Sequence, residues 1–185
     1  MRKNFGAKAN LYPMPVLIIG TYDENGVPNA MNAAWGGISE ADEISICVDD
    51  GHKTAANLQK SGGFTVSVAD VDNLVAADYV GIVSANSVPD KIARAGWTAI
   101  KSDYVNAPLF AELPYALECK LISYDTESCR LVGKILNVSA DERILTDGKL
   151  DLAKFRPITY DPTYHNYIAL GEAVGKAFSD GKKLK

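Results

Sequence analysis

The chain has 185 residues, 47% of them apolar and 9% aromatic, which is enough to bury a sizeable core and too rich in branched and aromatic side chains for a disordered segment. Its formal charge of −4 argues against a broad nucleic-acid face, which needs clustered Lys and Arg, but leaves room for one phosphate held by a few local donors. No apolar run reaches the length of a membrane span, and the amino terminus has charge but no apolar signal core.

Residues 15–22 (PVLIIGTY) form an apolar, β-branched run that ends in the turn signal Asn25-Gly26, so 15–22 and 27–35 are expected as a hairpin. Residues 44–48 are a third strand. The period changes over 52–60 (HKTAANLQK), a short helix stopped by Gly62-Gly63, and 64–68 (FTVSV) alternates as a fourth strand. Residues 72–83 are expected as a helix with Leu74, Val75, Tyr79 and Val80 on its apolar side, and 90–95 as a helical turn ending at Gly96. Two long strands follow, 117–124 and 129–138. Pro157 and Pro162 are expected to block regular structure between them, and 167–174 closes the barrel or lies on its rim. The basic tail Lys182, Lys183 and Lys185 is expected to be solvated. With no internal repeat or linker, residues 1–185 read as a single domain: mainly β, a small barrel with short peripheral helices.

The chemistry-bearing residues are sparse. His52 and His165 belong to no metal-ligand pattern, and no metal site is expected. There is no nucleophile elbow, no GxGxxG fingerprint and no P-loop, and Glu112, Glu118 and Glu172 have no spacing that marks acid–base work. Cys47, Cys119 and Cys129 contain no CxxC pair and make no disulfide framework, which suits a reducing cytoplasm. Two segments remain. In Gly51–Asn57 a strand leads into a helix start, whose free N–H groups suit an anion; Lys53 adds charge, and Thr54 and Asn57 share a face. The same residues also suit plain capping of a solvated helix. In Asn29–Trp35, Asn29, Met31, Ala33 and Trp35 share one strand face, and Ala30, Asn32 and Ala34 the other. Small residues there admit a planar ring against the backbone. Trp35 either borders that ring or packs in the core.

These segments, in this order, resemble the flavoredoxin-like branch of the flavin reductase-like, FMN-binding family. The resemblance rests on residues 15–37, 52–68, 84–96, 107–121, 132–138 and 167–182 taken together. It implies an FMN-binding split β-barrel, a homodimer, FMN as cofactor, NADH or NADPH as a transient donor, and a redox protein as a further partner. It places the isoalloxazine against Asn29, Met31, Asn32, Ala33, Ala34 and Trp35. The phosphate falls near His52, Lys53, Thr54 and Asn57; Ser67, Tyr164 and Tyr167 are further contacts. Asp90 and Lys91 match a recurring pair, expected as an ion pair that positions a connector, and Cys119 matches a recurring cysteine compatible with buried packing. No catalytic side chain is implied, because hydride transfer to a flavin needs none. Three functions stay open: an NAD(P)H-dependent flavin reductase or flavoredoxin-type oxidoreductase, an FMN electron carrier reduced by a partner protein, and a flavin- or haem-binding sensor or store.

Overall fold

A computed structural model describes residues 1–184; Lys185 of the basic tail lies outside the described residues. In chain order the strands are β1 (Met14–Pro15), β2 (Leu17–Tyr22), β3 (Pro28–Ala33), β4 (Gly36–Glu40) and β5 (Glu43–Cys47), then helix α1 (Lys53–Ser61) and β6 (Gly63–Val68). Helices α2 (Leu74–Ile82) and α3 (Lys91–Arg94) precede β7 (Ala99–Lys101), β8 (Pro108–Phe110) and the long pair β9 (Tyr115–Asp125) and β10 (Arg130–Ala140). The chain continues with β11 (Leu145–Thr146), β12 (Lys149–Leu150), α4 (Leu152–Phe155), β13 (Ile158–Asp161) and β14 (Asn166–Ala169). No helix among the described residues is long and apolar enough to cross a membrane.

Seven strands form one antiparallel sheet in the order β3-β2-β6-β9-β10-β5-β4. Its two edges, β3 and β4, are consecutive in the chain and joined only by Ala34 and Trp35. Three peptide steps span at most about 11 Å. The sheet therefore curls until its edges nearly meet, yet β3 and β4 do not pair. This is the expected split barrel, and the split runs along the very segment that sequence chemistry marked.

The barrel interior is filled by Leu17, Ile19, Ile44, Ile46, Phe64, Val66, Cys119 and Leu131, and α1 closes one end with Ala55 and Leu58. A second core lies outside β2 and β3, where Ala77 and Val80 of α2, Ile92 of α3, Trp97 and Phe110 pack on Val16, Ile18 and Ala30. Strand β2 is thus covered on both faces, which is why it reads as an unbroken apolar run instead of alternating. Gly26, at φ 76°, makes the turn between β2 and β3, and Gly62, at φ 66°, caps α1 with its N–H on the Leu58 carbonyl.

Four expectations change. Strand β4 (GGISE) has a loop-like composition and becomes a strand only because β5 pairs with it. Of the apolar positions expected on α2, Leu74, Tyr79 and Val80 meet the second core, while Val75 points outward at 80% exposure. Pro157 and Pro162 do not block a strand; they flank β13, where their missing N–H groups interrupt no ladder. β14 does not close the barrel, but pairs with β13 in a separate three-stranded sheet with β1 and ends at Ala169.

Candidate functional site: a trough along the split

Strand β3 is the free edge of the large sheet, so half of its backbone N–H and C=O groups face away from any partner strand. Its side chains alternate as expected up to Ala33: Met31 and Ala33 meet the barrel core, Ala30 the second core. Asn32, on the second-core side, donates from Nδ2 to the Ala77 carbonyl of α2 at 3.1 Å. Gly81 permits this approach, because a Cβ there would stand 2.9 Å from Asn32 Cβ.

At the α1 end of β3 a buried polar network sets the helix start. Asn29 Nδ2 donates to Thr54 Oγ1 at 2.8 Å, and Asn57 Nδ2 donates to Thr21 Oγ1 at 3.0 Å. Asn29, Thr54 and Asn57 are all at most 3% exposed, and Asn29 Oδ1 has no partner. Thr54 and Asn57 do share a face, but that face turns into the barrel. Asn57 is absorbed by Thr21, and Thr54 alone reaches the cavity. Helix α1 is not a plain capped surface helix: His52 has the extended backbone usual before a helix, but no side chain caps it, and Thr54, Ala55, Asn57 and Leu58 are buried. Its leading N–H groups keep their positive ends for another acceptor.

That cavity, of about 210 Å³, lies between α1 and the C-terminal end of α2. On the α1 side stand His52, Lys53 and Thr54; on the other, Gly81 to Ala85 and Lys91. Lys53 is half-exposed and pairs with Asp23 at 3.3 Å. The Asp23 carboxyl sits below the usual carboxylate range, chiefly through the Val27 N–H, then the Asn25 N–H and Lys53. Lys91 differs. It is 3% exposed and donates to the carbonyls of Val83 at 2.8 Å and Val80 at 3.3 Å, and it pairs with no carboxylate among the described residues. Burial pushes its ammonium down to about 8. The expected Asp90–Lys91 ion pair does not form: Asp90 pairs with Arg94 at 2.9 Å on the surface, and Lys91 turns inward to the free carbonyls ending α2. A cation held there by carbonyls alone keeps its charge available to an anion.

From this cavity Met31, Asn32 and His52 lead into a second hollow of about 520 Å³ along the split. Ala33, Ala34, Trp35, Cys47, Cys129 and Tyr160 complete its wall. Its size lies in the range of small-molecule sites, roughly 300 to 1,000 Å³. Trp35 is 63% exposed, which removes the core-packing reading and leaves it as a border of the hollow. A third, smaller recess joins Asn32 and Ala34 to Tyr160 and Tyr167. The Tyr167 hydroxyl donates to Asp78 at 2.8 Å, and burial, reinforced by that carboxylate, pushes its phenol up to about 12. Tyr160 bonds His165 Nδ1 at 2.5 Å.

The trough therefore brings together Asn29, Met31, Asn32, Ala33, Ala34, Trp35, His52, Lys53, Thr54 and Tyr167. It leaves out Asn57, Ser67 and Tyr164. Ser67 is 1% exposed with an unpartnered hydroxyl, on the β6 face away from Phe64 and Val66, and Tyr164 is 76% exposed outside the three hollows. Sequence reasoning missed Lys91 and Tyr160. A lysine one place before the buried Ile92 was a usable signal for the first; the assumption that two prolines forbid a strand hid the second.

Comparison with known proteins agrees with this geometry. The family model "Flavin reductase like domain" matches residues 9–167, a span that includes every wall of the trough. The chain is similar to the flavoredoxin of Desulfovibrio vulgaris (Miyazaki F), with 36% identity and a TM-score of 0.93 over 98% of this chain and 100% of that one. It shares its fold with a flavoredoxin from Methanosarcina acetivorans, 24% identical, with a TM-score of 0.87 over 100% of this chain and 98% of that one. An uncharacterised protein of Halalkalibacterium halodurans is 26% identical over 80% of this chain and 77% of its own length. The chain belongs to the flavin reductase-like family.

Proposed function

We propose that the chain binds FMN in the trough and serves as an NAD(P)H-dependent flavin reductase or flavoredoxin-type oxidoreductase. The observation that carries this reading is the buried, carboxylate-free ammonium of Lys91, set across a small cavity from Thr54 and the uncapped start of α1. Such a cavity suits a phosphate dianion, and it opens into an apolar hollow of ring size. The donor set fits FMN end to end. Lys91, Thr54, Lys53 and the leading N–H groups of α1 would hold the phosphate. The free edge of β3 at Ala33 and Ala34 would present N–H and C=O groups to the ring edge, with Met31 and Trp35 beside it.

When bound, FMN supplies the electron chemistry, and the protein supplies orientation and electrostatics. Lys91 would regain full charge against the phosphate, since an anion offsets the burial that depresses its ammonium. Backbone N–H groups along the β3 edge would favour negative charge on the ring's polar side. Tyr167 keeps its proton and stays fixed on Asp78, bracing the wall next to Asn32. No side-chain acid is required for hydride transfer from a nicotinamide.

The working unit we propose is a cytoplasmic homodimer in which residues 1–185 act as one flavin reductase-like domain. Phe5 and Leu11 near one end and Val174, Phe178 and Leu184 near the other are 70% or more exposed. Side chains of this size call for a covering surface. The arms bearing them are basic (Arg2, Lys3, Lys8; Lys176, Lys182, Lys183) while the whole chain is acidic, so a second copy offers both apolar cover and opposite charge. A second functional reading, an FMN electron carrier reduced by a partner protein, is favoured by the exposure of Trp35 at the mouth of the ring hollow. Anaerobic stopped-flow absorbance decides between them. Saturable bleaching of bound flavin by NADH or NADPH establishes the reductase; flavin that bleaches with dithionite but with neither nucleotide contradicts it and leaves the carrier.

A further inference from the structure

The three thiols occupy two kinds of environment. Cys119 is fully buried in the barrel, where burial pushes its thiol up to about 12, and it is chemically closed. Cys47 and Cys129 both open onto the 520 Å³ hollow, facing the wall formed by Met31, Ala33 and Ala34. Their positions are tied by backbone. Cys47 is the register partner of Arg130, the neighbour of Cys129, and the Val48 N–H donates to the Cys129 carbonyl at 2.8 Å. The Cys47 N–H donates to the Trp35 carbonyl, also at 2.8 Å, which fixes the pair to the split.

One register step between adjacent strands sets Cα atoms about 6 Å apart, inside the span that a disulfide bridges. In an unbroken ladder, residues one step apart point to opposite faces. Cys129 leaves the ladder with φ 54°, in the left-handed region that favours glycine, and it lines the same hollow as Cys47. A β-hairpin end that holds a cysteine in a glycine's conformation, one step from a second open cysteine, is an arrangement that plain packing does not require.

We propose, resting on the reading that the FMN ring occupies this hollow, that Cys47 and Cys129 form a dithiol–disulfide couple that exchanges two electrons with the flavin. In the reducing direction the Cys47–Cys129 S–S bond breaks, and each sulfur takes up one electron and one proton. Those two electrons and two protons would come from FMN bound in the reduced form, which they would leave oxidised. The substrate class this serves is an external disulfide. Cys47, the exposed member, attacks it and releases one thiol; Cys129 displaces the second thiol from the mixed disulfide and restores the internal bond.

The test uses the holoprotein. It is equilibrated anaerobically with oxidised glutathione, freed of it, and digested for mass spectrometry; a parallel sample is illuminated with EDTA to reduce the bound FMN, and free thiols are counted before and after. The expected result is a peptide pair linked through Cys47 and Cys129, and two thiols regained per chain on illumination, with Cys119 unchanged. Cys47→Ser and Cys129→Ser each abolish the linked pair. Failure of 47 and 129 to link, or a link that persists beside fully reduced flavin, overturns the couple while leaving FMN binding intact. Purified protein that links the two cysteines but takes up no flavin overturns the exchange by a different route, through the cofactor reading itself.

Discussion

The two walls of the 210 Å³ cavity each carry a lysine, and they are built in opposite ways. On the α1 wall Lys53 is half-exposed and already paired with Asp23. On the α2 wall Lys91 is buried, bonded only to the carbonyls of Val80 and Val83, and faces no carboxylate. An exposed pair is worth little and is screened by salt. A buried ammonium without a counter-ion is a cost to the fold that an incoming anion relieves. The difference teaches that the uncompensated charge sits on the wall whose sequence looked structural, while the lysine beside the recognisable helix start is already neutralised.

The largest effect is expected from Lys91→Met, which keeps the bulk and removes the charge. FMN affinity of the apoprotein, measured by quenching of flavin fluorescence, is expected to fall about 100-fold, as loss of a charge-assisted bond predicts. Thermal stability of the apoprotein is expected to hold or rise, because the substitution removes an uncompensated buried charge. A lowered melting temperature alongside unchanged FMN affinity would make Lys91 structural.

Raising the pH tests the same wall without mutation. The folded Lys91 ammonium lies near 8, below the ordinary lysine value, so it loses its proton as pH rises through that point. The phosphate of FMN stays a dianion above roughly pH 6. FMN affinity of the apoprotein is therefore expected to drop about tenfold between pH 7 and pH 9, and Lys91→Met flattens this dependence. A smaller loss, about fivefold to tenfold in affinity, is expected for Thr54→Val, which deprives Asn29 Nδ2 of its 2.8 Å acceptor and the cavity of a hydroxyl. Lys53→Ala is expected to change FMN affinity by no more than about threefold, with most of the change gone in high salt.

Much of this fold is legible in the sequence. The unbroken run 17–22, the Asn25-Gly26 turn, the helix closed by Gly62 and the long pair β9–β10 follow from local pattern, and the small residues of 29–35 singled out the strand that borders the split. What escaped was set by tertiary context. β4 has two glycines and exists only through its partner β5, and β13 lies between two prolines that bound it. Lys91 was hidden because its neighbour Asp90 offered an obvious ion pair, whereas the unsatisfied carbonyls at the end of α2 decide where the ammonium goes. Asn57 and Ser67 lie off the hollows for a similar reason: Asn57 turns into the barrel and bonds Thr21, and Ser67 is buried on the β6 face away from Phe64 and Val66. The exposed Cys47 and the left-handed Cys129 are distant in sequence, and the pairing of β5 with β10 brings them to one hollow.

In the proposed function, the small cavity recognises phosphate through Lys91. Its most direct test is parallel fluorescence titration of the wild-type apoprotein and Lys91→Met with FMN and with riboflavin, which lacks the phosphate. The wild type is expected to prefer FMN by about 100-fold or more, and Lys91→Met to erase most of this preference while binding riboflavin as well as the wild type does. Equal affinity of the wild-type protein for FMN and riboflavin would contradict it.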